Sequence, residues 1–140
     1  MSSDALLLTR IAQMDAAALH RFATRTTLED GGPALDAVVR HASCSLGTAL
    51  LVYWRAKPYW YAQWASADEC EDPRVFAMME AIEQRVASGG YAHAGVVFDP
   101  RREKFHQAVF RELEKKRSLP TEVFTATTKT GVLRFAPTSA

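Results

Sequence analysis

Residues 31–64, GGPALDAVVRHASCSLGTALLVYWRAKPYWYAQW, decide the fold of this chain. Within them Leu46, Ala49, Leu50 and Tyr53 follow the i, i+3, i+4, i+7 spacing of one helical face, and Leu51, Val52 and Trp54 add apolar surface on the others. A helix apolar on nearly all sides has to be surrounded, so this one is expected to be the hub of a soluble core. Ser45 is placed to cap it by accepting a bond from an early backbone N–H, and Gly47 leaves room for a neighbour to approach closely. Arg55 and Lys57 interrupt the run well before the roughly 20 apolar residues that a bilayer crossing needs.

Working back from the hub, Pro33 suits a first helical position, and Leu35, Val38, Val39 and Ala42 then form an apolar face with Asp36 and Arg40 paired on the wet side. The preceding stretch, Thr24 to Asp30, loses its periodicity and ends on Gly31-Gly32, which predicts a loop. Upstream, Ser2 or Ser3 can cap a helix carrying Leu6, Leu7 and Ile11, and Asp15 can cap a second with Ala18, Leu19, Phe22 and Ala23 inward. The leucines near the start lack a basic flank and an apolar run of signal-peptide length.

Working forward, Lys57-Pro58 ends one helix and starts another, on which Trp60 and Trp64 share a face. Ala65 to Asp72 is an acidic turn carrying Asp68, Glu69, Glu71 and Asp72. Asp72-Pro73 then opens a helix with Val75, Met79, Ile82 and Val86 inward, closed by Gly89-Gly90. Tyr91 to Phe98 fits a strand or an extended connection equally well. Asp99-Pro100 repeats the helix-start signal, with Phe105, Val109 and Leu113 recurring toward the basic end Lys115-Lys116-Arg117. Val123 to Thr128 and Val132 to Phe135, separated by Gly131, allow a small hairpin. The expected fold class is therefore all-α: one domain over 1–136 with about six or seven helices, at most one short C-terminal hairpin, and a polar tail over 137–140.

Composition narrows the function. A formal net charge of +1 over 140 residues argues against an extended nucleic-acid surface. Two cysteines, Cys44 and Cys70, make no disulfide framework and read as buried thiols of a cytoplasmic protein. His41 and Cys44 stand close together, but His20, His93, His106 and Cys70 are scattered, which is not a metal-ligand spacing. Ser43, Cys44 and Ser45 beside His41 lack a glycine-rich elbow or a triad order, and capping and burial explain them better than nucleophilic catalysis. No catalytic residue, cofactor or metal is expected, and neither is a membrane contact. The aromatic run through Tyr53, Trp54, Tyr59, Trp60, Tyr61 and Trp64 reads first as core, with Tyr59, Trp60 and Trp64 the rings able to serve as binding anchors. The acidic turn Asp68, Glu69, Glu71 and Asp72, extended by Glu29 and Asp30, is either a solvated loop or a surface that steers a basic protein partner.

The segments Thr27-Leu28-Glu29-Asp30-Gly31, Val38-Val39-Arg40-His41 and Cys44-Ser45-Leu46-Gly47-Thr48-Ala49-Leu50, running into Tyr53-Trp54, resemble the bacterial domain of unknown function 4274 family over Thr26 to Trp64. That family's pattern is an Asn-Trp-Asp-Asp-Gly-like opening, a helix, and Cys-x-x-Gly-Thr-Ala-Leu leading to an aromatic pair. Leu28 and Glu29 stand where the pattern has the tryptophan and its first aspartate, so a role tied to that ring does not carry over. The resemblance brings no catalytic residues with it, and it implies the kind of small partner protein encoded beside polymorphic toxins. The expected function is a non-catalytic protein-binding module, an immunity protein that neutralises a toxin or effector domain. A regulatory or housekeeping interaction domain comes second and a small enzyme third.

Overall fold

The computed structural model describes residues 3–61, 64, 66–102 and 121–134. Among these the protein is mainly helical. Five helices of ten or more residues, α1 (Ser3–Ala12), α2 (Ala16–Arg25), α3 (Leu28–Arg40), α4 (Leu46–Arg55) and α6 (Pro73–Ala87), are joined by a single helical turn, α5 (Pro58–Tyr61). A two-stranded antiparallel hairpin, β1 (Thr125–Thr127) with β2 (Val132–Arg134), follows, with Ala126 opposite Leu133. The expected helix through Phe105, Val109 and Leu113 and the tail over 137–140 lie outside the described residues.

α4 is the hub. Every residue from Gly47 to Trp54 is buried, because α2, α3, α6 and β1 pack around it. Its start is fixed locally: the Thr48 N–H donates to Ser45 Oγ at 3.2 Å. Leu46 N–H donates to the Ala92 carbonyl at 2.9 Å, where the two chain segments form an isolated bridge. At the other end the Trp54 indole donates to the Val123 carbonyl at 3.1 Å, and its ring lies 5.4 Å from Phe124, so the hairpin is tied to the hub.

A Cβ built on Gly47 would meet Thr127 Oγ1 at 2.7 Å and the Val96 carbonyl at 3.0 Å. Alanine gains about 1 kcal/mol of intrinsic helix preference over glycine. Here backbone lies in the way, so Gly47→Ala is expected to destabilise by about 1–3 kcal/mol in urea unfolding. A stabilised variant would show that the hairpin does not close over α4.

Two sequence expectations are corrected. Thr24 to Asp30 is not a loop throughout, since Thr27 caps α3 by accepting the Asp30 N–H at 3.2 Å and the helix begins at Leu28. It then bends at Gly31 (φ −145°, ψ 39°), which lets Pro33 follow without a carbonyl clash in a straight helix. On α1 Leu6 is 53% exposed, whereas Leu7 and Ile11, four apart, turn to the core. Trp64 does not extend the helix of α5 but stands beyond it, its N–H donating to the Tyr61 carbonyl at 3.2 Å.

Tyr91 to Phe98 resolves as an extended connection that makes isolated bridges, Ser45 with Ala92 and Phe98 with Thr127.

Candidate functional site

The acidic turn is built by its own short-range bonds. Ala67–Glu69 forms a 3-10 turn, the buried Cys70 sulfur accepts the Asp72 N–H at 3.4 Å, and Asp72 Oδ1 accepts the Val75 N–H at 3.3 Å to cap α6. Packing the one small thiol inward leaves Asp68, Glu69, Glu71 and Asp72 on the outside, all exposed.

Asp72 also borders a groove of about 590 Å³ between α1, α3 and α6. Leu8, Leu28, Val75 and Met78 give the groove its apolar lining, with the Asp36–Arg40 pair (2.8 Å) at its edge. Leu28 is shared with an adjoining cleft that holds Glu29, Lys57 and Tyr61. Burial pushes the Tyr61 hydroxyl up to about 12, and the neighbouring Asp72 carboxylate adds to the effect. The carboxylate and the ring therefore belong to one neighbourhood.

The predicted residues separate into groups. Asp72 and Glu29 line adjoining clefts, and Asp68, Glu69 and Glu71 stand exposed on the turn beside them. Asp30 is exposed too, but its carboxylate accepts from the Thr27 hydroxyl at 3.1 Å, which makes it part of the α3 cap. Trp64 is partly buried, its ring 6.3 Å from that of Tyr61. The side chains of Tyr59 and Trp60 lie outside the described residues. Sequence reasoning missed the apolar lining; its signal was Leu8, a large side chain in an amphipathic helix that remains 41% exposed.

The reactive-looking residues have structural roles. Cys44 is buried and free, and burial pushes its thiol up to about 12, which leaves almost no thiolate at neutral pH. His41 Nδ1 accepts the Ser43 N–H at 2.9 Å, so its Nε2–H donates to the Ala12 carbonyl at 3.1 Å and braces α1 against the α3–α4 corner. His93 likewise accepts from Gly95 and donates to the Thr128 carbonyl. Among the described residues no three His, Cys, Asp or Glu side chains are grouped to hold a metal, and no helix is long and apolar enough to cross a membrane.

A family model described as Domain of unknown function (DUF4274) matches residues 14–87, just over half of the chain. The chain belongs to the DUF4274 family. The match is wider than the 26–64 core read from the sequence: it takes in α2 to α6 and the acidic turn, and stops where α6 does. The DUF4274 unit thus contains the hub with three of the helices packed on it, while α1 and the hairpin are contributed from outside it. No curated protein and no solved structure matches the chain.

Proposed function

We propose that this DUF4274 protein is a non-catalytic protein-binding module, an immunity protein acting in the cytoplasm that neutralises a toxin or effector domain by covering its active site. The observation that carries the reading is the exposed acidic turn Asp68–Asp72, whose last residue, Asp72, borders the apolar groove lined by Leu8, Leu28, Val75 and Met78. Such a face offers carboxylates to steer encounter and apolar contact to hold the complex. Toxin clefts that handle nucleic acid or phosphorylated cofactors are basic, and an acidic face complements them. The raised thiol of Cys44, the side chain nearest to a nucleophile at a helix start, supports a role without covalent chemistry.

The test is coexpression with the protein encoded beside it. Wild type is expected to bind that protein and protect the cell. Asp68→Lys with Glu71→Lys is expected to slow association about tenfold at low salt, with the gap closing as salt rises. Leu8→Ser is expected to speed dissociation instead. Equal association rates for the charge variant and wild type would remove the turn from the interface. Binding without protection would leave an interaction domain and end the immunity reading.

A further inference from the structure

A second groove, of about 540 Å³, lies between α2, α4 and the hairpin, away from the acidic turn. Its polar wall carries His20, Arg55, Asp99, Arg101 and Arg102. Arg101 grips Asp99 through two bonds of 3.0 and 2.9 Å, which neutralises that carboxylate and fixes the guanidinium. Burial alone would raise the Asp99 carboxyl, and the hydrogen bonds from Arg101 overcome it and hold it below the ordinary value. Among the described residues this wall carries three arginines and one carboxylate, in a chain whose formal net charge is only +1.

A buried pair of hydroxyls behind this wall holds one nitrogen of His20. Ser45 Oγ accepts the Thr48 N–H and lies 2.9 Å from Thr48 Oγ1, a contact in which either hydroxyl can donate. Thr48 Oγ1 in turn lies 2.9 Å from His20 Nδ1 and can accept from it when the ring is protonated. In the imidazolium Nε2 also carries a proton, and Nε2 has no hydrogen-bond partner among the described residues. A half-buried histidine thus lines the groove with one ring nitrogen held by Thr48 and the other a donor when the ring is protonated. Leu51, Val97 and Leu133 line the same groove, and Val97 and Leu133 are 55% and 52% exposed.

We infer that this groove binds a small organic oxyanion, a phosphate or carboxylate joined to an apolar body. The anionic head accepts from the Nε2–H of the His20 imidazolium and pairs with Arg102, and the body rests on Leu51, Val97 and Leu133. The site is independent of the acidic face, and it survives if the immunity reading fails.

The experiment is a titration of the full 140-residue protein with phenyl phosphate, read on the His20 ring signals by NMR. In the free protein burial and, to a lesser degree, Arg55 hold the His20 pKa below its ordinary value. A bound anion favours the imidazolium, so saturation is expected to raise that pKa by about one. Arg102→Glu, an exposed position, is expected to weaken binding about tenfold or more, and Arg10→Glu on α1 to leave it unchanged. Inorganic phosphate is expected to move the same signals at higher concentration, since it lacks the apolar body. Benzoate separates the head groups: a response as strong as that to phenyl phosphate assigns a carboxylate, and a weaker one a phosphate. His20 signals that stay still with all three ligands, or equal responses from Arg102→Glu and wild type, would overturn the site.

Discussion

Replacing Trp54 with alanine is expected to cost roughly 3–5 kcal/mol and to loosen the hairpin before the helices. The indole is 1% exposed, edge-on to Tyr53 with centroids 5.7 Å apart and tilted against Phe124. Truncation would leave a cavity at the centre of the hub, which the surrounding helices can collapse into only in part. It would also strand the Val123 carbonyl on a residue with no exposure, a further penalty of about 1–3 kcal/mol if no water enters. Trp54→Phe separates the two effects, since it keeps a ring and loses the N–H; it should fall between wild type and alanine. Urea midpoints give the cost, and hydrogen exchange at Thr125–Thr127 shows where it falls. A loss below about 1 kcal/mol for the alanine variant would mean that α4 does not organise the core.

What the sequence made legible were the features that act over a few residues. Asp15, Ser45 and Asp72 each cap a helix because a short side-chain oxygen reaches an N–H three residues on, and that geometry needs no knowledge of the rest of the chain. The hub was legible because Leu46 to Trp54 has no polar face to expose. Thr27 escaped for a local reason as well: Gly31-Gly32-Pro33 is a stronger start signal than a threonine among β-branched neighbours. A Cβ on Gly31 would lie 2.5 Å from Thr26 Cγ2, so the glycine serves the bend rather than a break.

The candidate sites were less legible because they are made across long separations. The acidic turn could be read as charge, but the groove beside it needs Leu8, Leu28 and Met78 from three helices. The His20 ring is held by Thr48, twenty-eight residues away. Phe98 and Thr127, twenty-nine apart, exchange backbone bonds of 3.1 and 2.7 Å, a pairing that weak alternation in Tyr91 to Phe98 did not announce.

Arg85 is the clearest such case, and its removal is the second large expected effect. Where the chain leaves helix α3 its carbonyls are not all satisfied by the backbone that follows, although that of His41 accepts the Cys44 N–H at 3.1 Å. From α6, Arg85 Nη1 donates to the Val39 and His41 carbonyls at 3.2 and 3.0 Å, and Nη2 to that of Ala42 at 3.3 Å. Its Nε donates to the Gly90 carbonyl at 3.0 Å, and the guanidinium sits 4.0 Å over the Tyr91 ring, whose hydroxyl also reaches Val39. One planar fork therefore joins the end of α3 to the end of α6, with positive charge at the negative pole of a helix. Bonds from a charged donor contribute about 1.5–3 kcal/mol each and do not add fully, so Arg85→Ala is expected to cost roughly 3–4 kcal/mol. Arg85→Lys keeps the charge, but a single ammonium cannot span the carbonyls of Val39, His41, Ala42 and Gly90 together; it should recover less than half of the loss. Denaturant unfolding at low and high salt distinguishes the causes. A cost that persists in high salt points to the fork, whereas Arg85→Lys matching wild type would show that charge at the end of α3 is all that α6 supplies.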